Sequence, residues 1–339
     1  MEQMTNCHVH LFTDKDIPRK FLPLGLVRIL ASKVGFRLVA KVLNWLNPFT
    51  SNDQFDRYVQ FIEVGRLGSQ KKIFENIQKE YPQLTKFFCL SMDMAFMGAG
   101  DVPNNYKNQI DELTKVSEFA IPVYHCDPRR ENYWNLFLYA MNIGFKALKI
   151  YPPLGVFPYD KRLYPVYEYC QTNNIPVMCH TTAGSPVHFK GSYKELKALL
   201  RDCQFQIDWS RSDADLCSYF TEPRGWETIL KEFPSLRVCL CHWGRQGQFD
   251  EQTKALMQKY PNVYVDISYS LGNPENWGNL KVKLNTDLHF RERVLYGSDY
   301  YMLITECEEK QMSINLRAYL DEILWHQIAT VNPERFLLG

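Results

Sequence analysis

Eight short apolar runs alternate with segments of helical periodicity, and no other feature constrains the fold of this chain as much. The runs cover residues 7–12, 87–92, 120–125, 147–151, 175–180, 236–242, 263–267 and 294–299, each closing on a turn signal or a polar residue. Most are almost continuously apolar, the pattern of strands covered on both faces. Helical patterns occupy 53–81, 132–144, 164–173, 225–233, 252–260 and 316–329. Strands alternating with helices predict a parallel sheet, and eight such units favour a closed (β/α)8 TIM barrel over an open doubly wound sheet. The sequence also lacks a glycine-rich dinucleotide or phosphate loop of either common type, which weakens the open-sheet alternative. A single barrel over 1–339 is expected, with a helical insertion or cap and the first helix at 13–86. A second long connection, 181–235, follows strand 5. Both connections would lie over the C-terminal face, where barrel active sites are built.

Composition narrows the partners. Thirty-nine Lys and Arg against 38 Asp and Glu leave a formal net charge of +1, without the basic footprint of a nucleic-acid binder. Ten cysteines without a C-x-x-C pair read as reduced thiols in a cytoplasmic protein. The first histidine pair falls within ten residues of Met1, which leaves no room for a signal peptide. No apolar run approaches the roughly 20 residues of a membrane span. From Ile17 to Thr50 there is no acidic residue, while Arg19, Lys20, Arg28, Lys33, Arg37 and Lys41 are basic. Within that stretch, 25–46 reads as an amphipathic helix, expected to be a packed cap or a homodimer helix rather than a membrane-surface anchor. Beside an active site its charge would favour an anionic small-molecule substrate.

His8 and His10 alternate onto one strand face, with Cys7 and Val9 expected on the other. Alone, this pair fits a satisfied histidine couple as well as a metal site. His180, His242 and Asp299 shift the balance, because each closes a further strand at the end where this fold gathers catalytic groups. Three histidines and a carboxylate suffice for a divalent ion with an open position. Lys149, ending strand 4 and facing inward with Tyr151, reads as a substrate contact or a structural ion pair. His125 and Arg129, after strand 3, are candidate pocket residues. Asp266 is expected to pair with a neighbour rather than act directly. Cys179, Cys239 and Cys241 are expected to point outward as packing thiols. His188, Trp209, Arg211 and Arg224 are read as solvated loop residues.

Seven stretches carry a family resemblance: Cys-His-Val-His at 7–10, Gly-Phe-Lys-Ala-Leu-Lys-Ile-Tyr-Pro-Pro at 144–153, Ile-Pro-Val-Met-Cys-His-Thr at 175–181, Phe-Pro-Ser-Leu-Arg-Val-Cys-Leu-Cys-His-Trp-Gly at 233–244, Val-Tyr-Val-Asp-Ile-Ser at 263–268, Leu-Tyr-Gly-Ser-Asp at 295–299 and Asn-Pro-Glu-Arg-Phe at 332–336. Together they resemble the amidohydrolase superfamily, within it the amidohydrolase-2 group of aminocarboxymuconate-semialdehyde decarboxylase-like metal-dependent hydrolases. The resemblance spans nearly the whole chain except 13–86. It implies that His8, His10, His180 and Asp299 bind a divalent metal, with His242 and Asp299 catalytic. Zn²⁺ is the first choice ahead of Mn²⁺ or another divalent ion, and one ion is favoured over two. Some binuclear superfamily members carry a carboxylated lysine bridging two metals at the end of strand 4, where Lys149 stands. The first expected activity is hydrolysis of an amide, lactone or similar carbonyl by activated water. The alternative is non-oxidative decarboxylation of a cyclic or unsaturated carboxylic acid, for which Arg19 or Arg28 could bind the carboxylate. A non-catalytic barrel ranks third.

Overall fold

The computed structural model describes residues 3–21, 54–244 and 247–339. The helix expected at 25–46, with Arg28 and the other basic residues it carries, lies outside the described residues. Eight strands form one sheet in sequential order: β1 (Thr5–His10), β2 (Lys86–Leu90), β3 (Ala120–His125), β4 (Ala147–Ile150), β5 (Val177–His180), β6 (Val238–Cys241), β7 (Val263–Asp266) and β8 (Val294–Leu295). Every neighbouring pair is parallel. The sheet curls shut where β1 meets the segment around β8, through Cys7 N–H to Tyr296 O at 2.8 Å and Asp299 N–H to His8 O at 2.9 Å. The expected (β/α)8 barrel is therefore the observed fold.

Two apolar layers define inside and outside. Cys7, Phe88, Leu90, Val123, Ala147, Met178, Cys239, Cys241, Tyr264 and Leu295 come from all eight strands and fill the barrel. Phe336, from the helix Asn332–Leu338, seals its floor against Tyr264 and Phe88, at ring distances of 5.1 and 6.4 Å. The alternate residues, among them Val9, Leu148, Cys179, Leu240 and Val265, pack outward against the helices. This corrects the sequence reading for two cysteines: Cys239 and Cys241 face the interior, and only Cys179 lies beneath the helices. β1 also departs from simple alternation. Its pairing with β2 slips by one residue between Asn6 and Val9. This bulge turns Cys7 inward beside His8, while Val9 stays outside.

Several element boundaries differ from those expected. The helical pattern 53–81 is two helices, Gln54–Gly65 and Gln70–Gln78. Gly68 takes a φ of +83° between them, and Ser69 caps the second helix by accepting from Lys72 N–H. The pattern 316–329 is likewise interrupted at Asp321, whose φ is also +83° and whose carboxylate caps Glu322–His326. The long connection 181–235 is not bare loop; it contains the helix Tyr193–Leu199, started by a capping box between Ser192 and Glu195. The short helix Tyr106–Leu113 (YKNQIDEL) follows β2, with too few apolar positions to announce itself by periodicity. None of the described helices is long and apolar enough to cross a membrane.

Candidate functional site

The carboxyl ends of β1, β5, β6, β7 and β8 converge on one buried cluster of imidazoles and carboxylates. His8 and His10 are 0% and 4% exposed, and His180, His242 and Asp299 no more than 6%. His8 Nε2 stands 3.6 Å and His10 Nε2 3.2 Å from Asp299 Oδ1. The ligand-type atoms of His8, His10 and Asp299 all lie within 4.8 Å of one another, a spacing that fits one cation. His180 stands beside that triad rather than within it, joined through His242: His242 Nε2 is 3.0 Å from His180 Nδ1, and the His8 and His242 rings lie 4.8 Å apart.

Two of these residues reach the site by a route that strand alternation does not supply. His242 follows the inward Cys241, so a continued strand would turn it out. Instead it takes a φ of +71° one residue beyond β6 and swings into the cluster. Asp299 lies four residues past the two-residue β8, with a φ of +67°. Left-handed backbone at a non-glycine residue costs energy and concentrates at functional sites.

A supporting layer sets the proton positions. Asp266 Oδ2 lies 2.8 Å from His8 Nδ1, and Asp266 Oδ1 accepts from His242 N–H at 2.8 Å. With Nδ1–H of His8 held by Asp266, its Nε2 lone pair is left facing Asp299. His242 is fixed from the other side, its Nδ1 3.1 Å from the Ser268 carbonyl. Nε2 of His242 is then an acceptor for His180 Nδ1–H, which leaves His180 Nε2 bare. Ser268 Oγ touches three members at once: Asp266 Oδ1 (2.5 Å), His242 Nδ1 (2.9 Å) and His8 Nδ1 (3.1 Å). Ser268 belongs to a stretch that the sequence singles out, yet its role appears only when β7 is beside β1.

The electrostatics suit neutral imidazoles and ionised carboxylates. Burial, reinforced by Lys149, pushes His8 down to about 3, and burial also lowers His180 and His242. For Asp266 and Asp299 burial works the other way, but the histidines beside them outweigh it and hold both carboxyls below their ordinary range. Of the twelve buried side-chain atoms without a hydrogen-bond partner among the described residues, four belong to this cluster: His8 Nε2, His10 Nδ1, His180 Nε2 and Asp299 Oδ1. Buried polar atoms are seldom left orphaned. Imidazole nitrogens and a carboxylate oxygen in this state fit a divalent ion of the borderline type that takes N and O ligands.

The remaining candidates are spread around this cluster. Lys149 is fully buried inside the barrel, and its hydrogen-bond partner is Cys241 Sγ at 3.6 Å rather than a carboxylate. Tyr151 packs its ring, tilted, 4.6 Å from that of His180 and shares a 3.0 Å hydrogen bond with Ser185. His125 is buried one strand away, its Nδ1 accepting from Asp93 N–H at 2.8 Å. Arg129 is occupied: it forks onto Asp127 and donates to the Leu154 carbonyl, which ties the turn after β3 to the turn after β4.

Comparison with known proteins decides the family. The amidohydrolase family model matches residues 137–338, more than half of the chain. The chain belongs to the amidohydrolase family. No curated protein matches this amidohydrolase. Among solved structures it resembles an uncharacterized TIM-barrel protein from Bordetella bronchiseptica, at 16% identity and a TM-score of 0.58, with 99% of this chain and 98% of that one covered. A probable 2-pyrone-4,6-dicarboxylic acid hydrolase from Acinetobacter baumannii, solved with citric acid bound, gives 11% identity and a TM-score of 0.58 over 99% of both chains. At these identities the likeness is one of fold.

Proposed function

We propose that this amidohydrolase is a metal-dependent hydrolase in which His8, His10, His180 and Asp299 hold one divalent ion, Zn²⁺ first among the candidates. The supporting observation is that His8 Nε2, His180 Nε2 and Asp299 Oδ1 are buried without a partner, with His10 Nε2 3.2 Å from that same Asp299 oxygen. Divalent metals are general in the family, and the His8, His10 and Asp299 atoms are spaced for one. When bound, such an ion supplies Lewis acidity that acidifies water and polarises a carbonyl.

The protein's own groups would do the rest. Asp299, kept ionised by its histidine neighbours, takes the proton of the attacking water at its carboxylate and returns it to the leaving group. His242 is held by Ser268 with Nε2 turned into the cluster, where, once protonated, it orients and polarises the substrate carbonyl. Tyr151, next to His180, and Lys149 below it would contact the substrate. His125 and Arg129 would shape the wall by fixing the turns after β2, β3 and β4. The substrate is a small molecule with an amide, lactone or similar carbonyl, and the buried ammonium of Lys149 favours an anionic one. That ammonium also supports the second reading, non-oxidative decarboxylation of a cyclic or unsaturated acid, since it offers a carboxylate a partner inside the barrel.

Metal analysis by mass spectrometry, combined with a kinetic screen of lactones, amides and unsaturated carboxylic acids, tests the proposal. One ion per chain and turnover of a lactone or amide are expected. Carbon dioxide release would select decarboxylation. A stoichiometry near two would instead make Lys149 a bridging ligand. A chain without metal and without affinity for added Zn²⁺ or Mn²⁺ would overturn the reading.

A further inference from the structure

One buried carboxyl takes no part in the scheme above. Glu309 is 6% exposed and lies behind the seam between β1 and β8. Its Oε1 accepts from the Tyr81 hydroxyl at 2.6 Å, its carboxyl also faces the Ser298 hydroxyl, and Oε2 has no hydrogen-bond partner. Tyr81 in turn accepts from Asn6 Nδ2 at 3.0 Å and meets the Tyr296 hydroxyl at 2.6 Å.

Asn6 uses all of its hydrogen-bonding capacity. Nδ2 donates to Tyr81 and to Ser298 Oγ, the latter at 2.8 Å. Oδ1 accepts two backbone N–H groups, from His8 at 3.2 Å and from Ser298 at 3.1 Å. One belongs to a candidate ligand and the other to the residue just before Asp299. Ser298 Oγ accepts a second N–H, from Tyr300 at 3.2 Å. With both acceptor positions filled, its own proton is left free to turn toward the Glu309 carboxyl.

We propose that Glu309 is a positioning residue for the metal centre: it anchors Tyr81 and Ser298, and these fix the Asn6 carboxamide that clips His8 to the Ser298–Asp299 turn. The inference rests on the reading that His8 and Asp299 hold a metal. A filler for this space need not be ionisable. Burial pushes the Glu309 carboxyl up to about 7, a penalty that an apolar residue would avoid. The groups that bear on it are Tyr81 and Glu80 from the end of the second helix, and Ser298, Asp299, Tyr296, Tyr300 and Cys307 from the β8 side. Opening of the turn would release the carboxyl to its ordinary range near 4.3. The turn should therefore be held most firmly at low pH and loosen as pH rises toward 7.

Hydrogen exchange at the amides of His8, Ser298 and Asp299 in the full, metal-free chain tests this. It compares the parent with Glu309→Gln, Ser298→Ala and the double variant. Corrected for intrinsic exchange, protection in the parent should fall on the order of 100-fold between pH about 4.5 and 7, while Glu309→Gln stays flat. Zn²⁺ affinity, measured by chelator competition, should drop about tenfold in each single variant, and the double should be no weaker than the weaker single. Identical pH profiles in parent and Glu309→Gln, or strictly additive losses, would overturn the proposal. A parent that binds no Zn²⁺ overturns the metal reading instead, and the metal-free exchange profile still decides whether Glu309 holds the turn.

Discussion

Gly297 and His8 compete for one space: a Cβ built on Gly297 would stand 2.8 Å from the Cβ of His8 and 3.3 Å from that of Ser268. The glycine is required here for close approach rather than for backbone freedom. It lets the segment after β8 press against β1 and brings Asp299 to the imidazoles.

Gly297→Ala should therefore push His8 away from Asp299. Overpacking of this kind costs about 1–3 kcal/mol, readable as a lower urea midpoint at unchanged slope. Zn²⁺ affinity, measured against a competing chelator, should fall by at least an order of magnitude. An unchanged affinity would show that His8 is placed by β1 alone.

Asp266 should matter to metal affinity without being a ligand. Its carboxylate holds Nδ1–H of His8 and the backbone of His242. Partners of this kind are typically worth 10–100-fold in metal affinity or activity. Asp266→Asn should weaken Zn²⁺ binding within that range, with the stoichiometry still one per chain when the metal is saturating.

His242→Asn separates holding the metal from using it. The bound metal content should stay at the parent level, while turnover of any substrate found in the screen should fall by two or more orders of magnitude. Turnover at the parent rate would remove His242 from the mechanism.

His125 gives a pH dependence independent of the proposed ligands. Burial pushes it down to about 4. Its folded value thus lies below the unfolded value near 6.5, so its neutral form stabilises the fold. That contribution is complete above pH 6.5 and is lost as pH falls from 6.5 toward 4, on the order of 3 kcal/mol in all. His125→Asn keeps an acceptor for Asp93 N–H and removes the titration. Thermal melts of the two proteins should coincide above pH 6.5 and diverge as pH falls toward 4, with the parent melting lower.

How far the sequence could foretell this site differs from residue to residue. His180 is the plain case: alternation along β5 runs Met178 in, Cys179 out and His180 in, as the structure has it. His242 and Asp299 were placed at strand ends, but their inward direction comes from left-handed backbone that periodicity does not encode. For Cys241 the same periodicity misled, because counting back from an inward His242 puts it on the wrong face. The β1 bulge misplaced Cys7 for a similar reason. Asn6 and Ser268 were missed as functional positions because their partners lie 292 and 260 residues away, with no local pattern to mark them. Helices with a strong apolar stripe were legible, whereas Tyr106–Leu113, mostly polar, was not.

The seam between Asn6 and Ser298 also bears on how the protein is made. His8 and His10 are synthesised ahead of Asp299, which must cross a sequence separation of nearly three hundred residues to join them. Contacts this distant form late and slowly. A nascent chain would carry the histidine pair long before the carboxylate arrives, so high-affinity metal capture would report barrel closure rather than precede it.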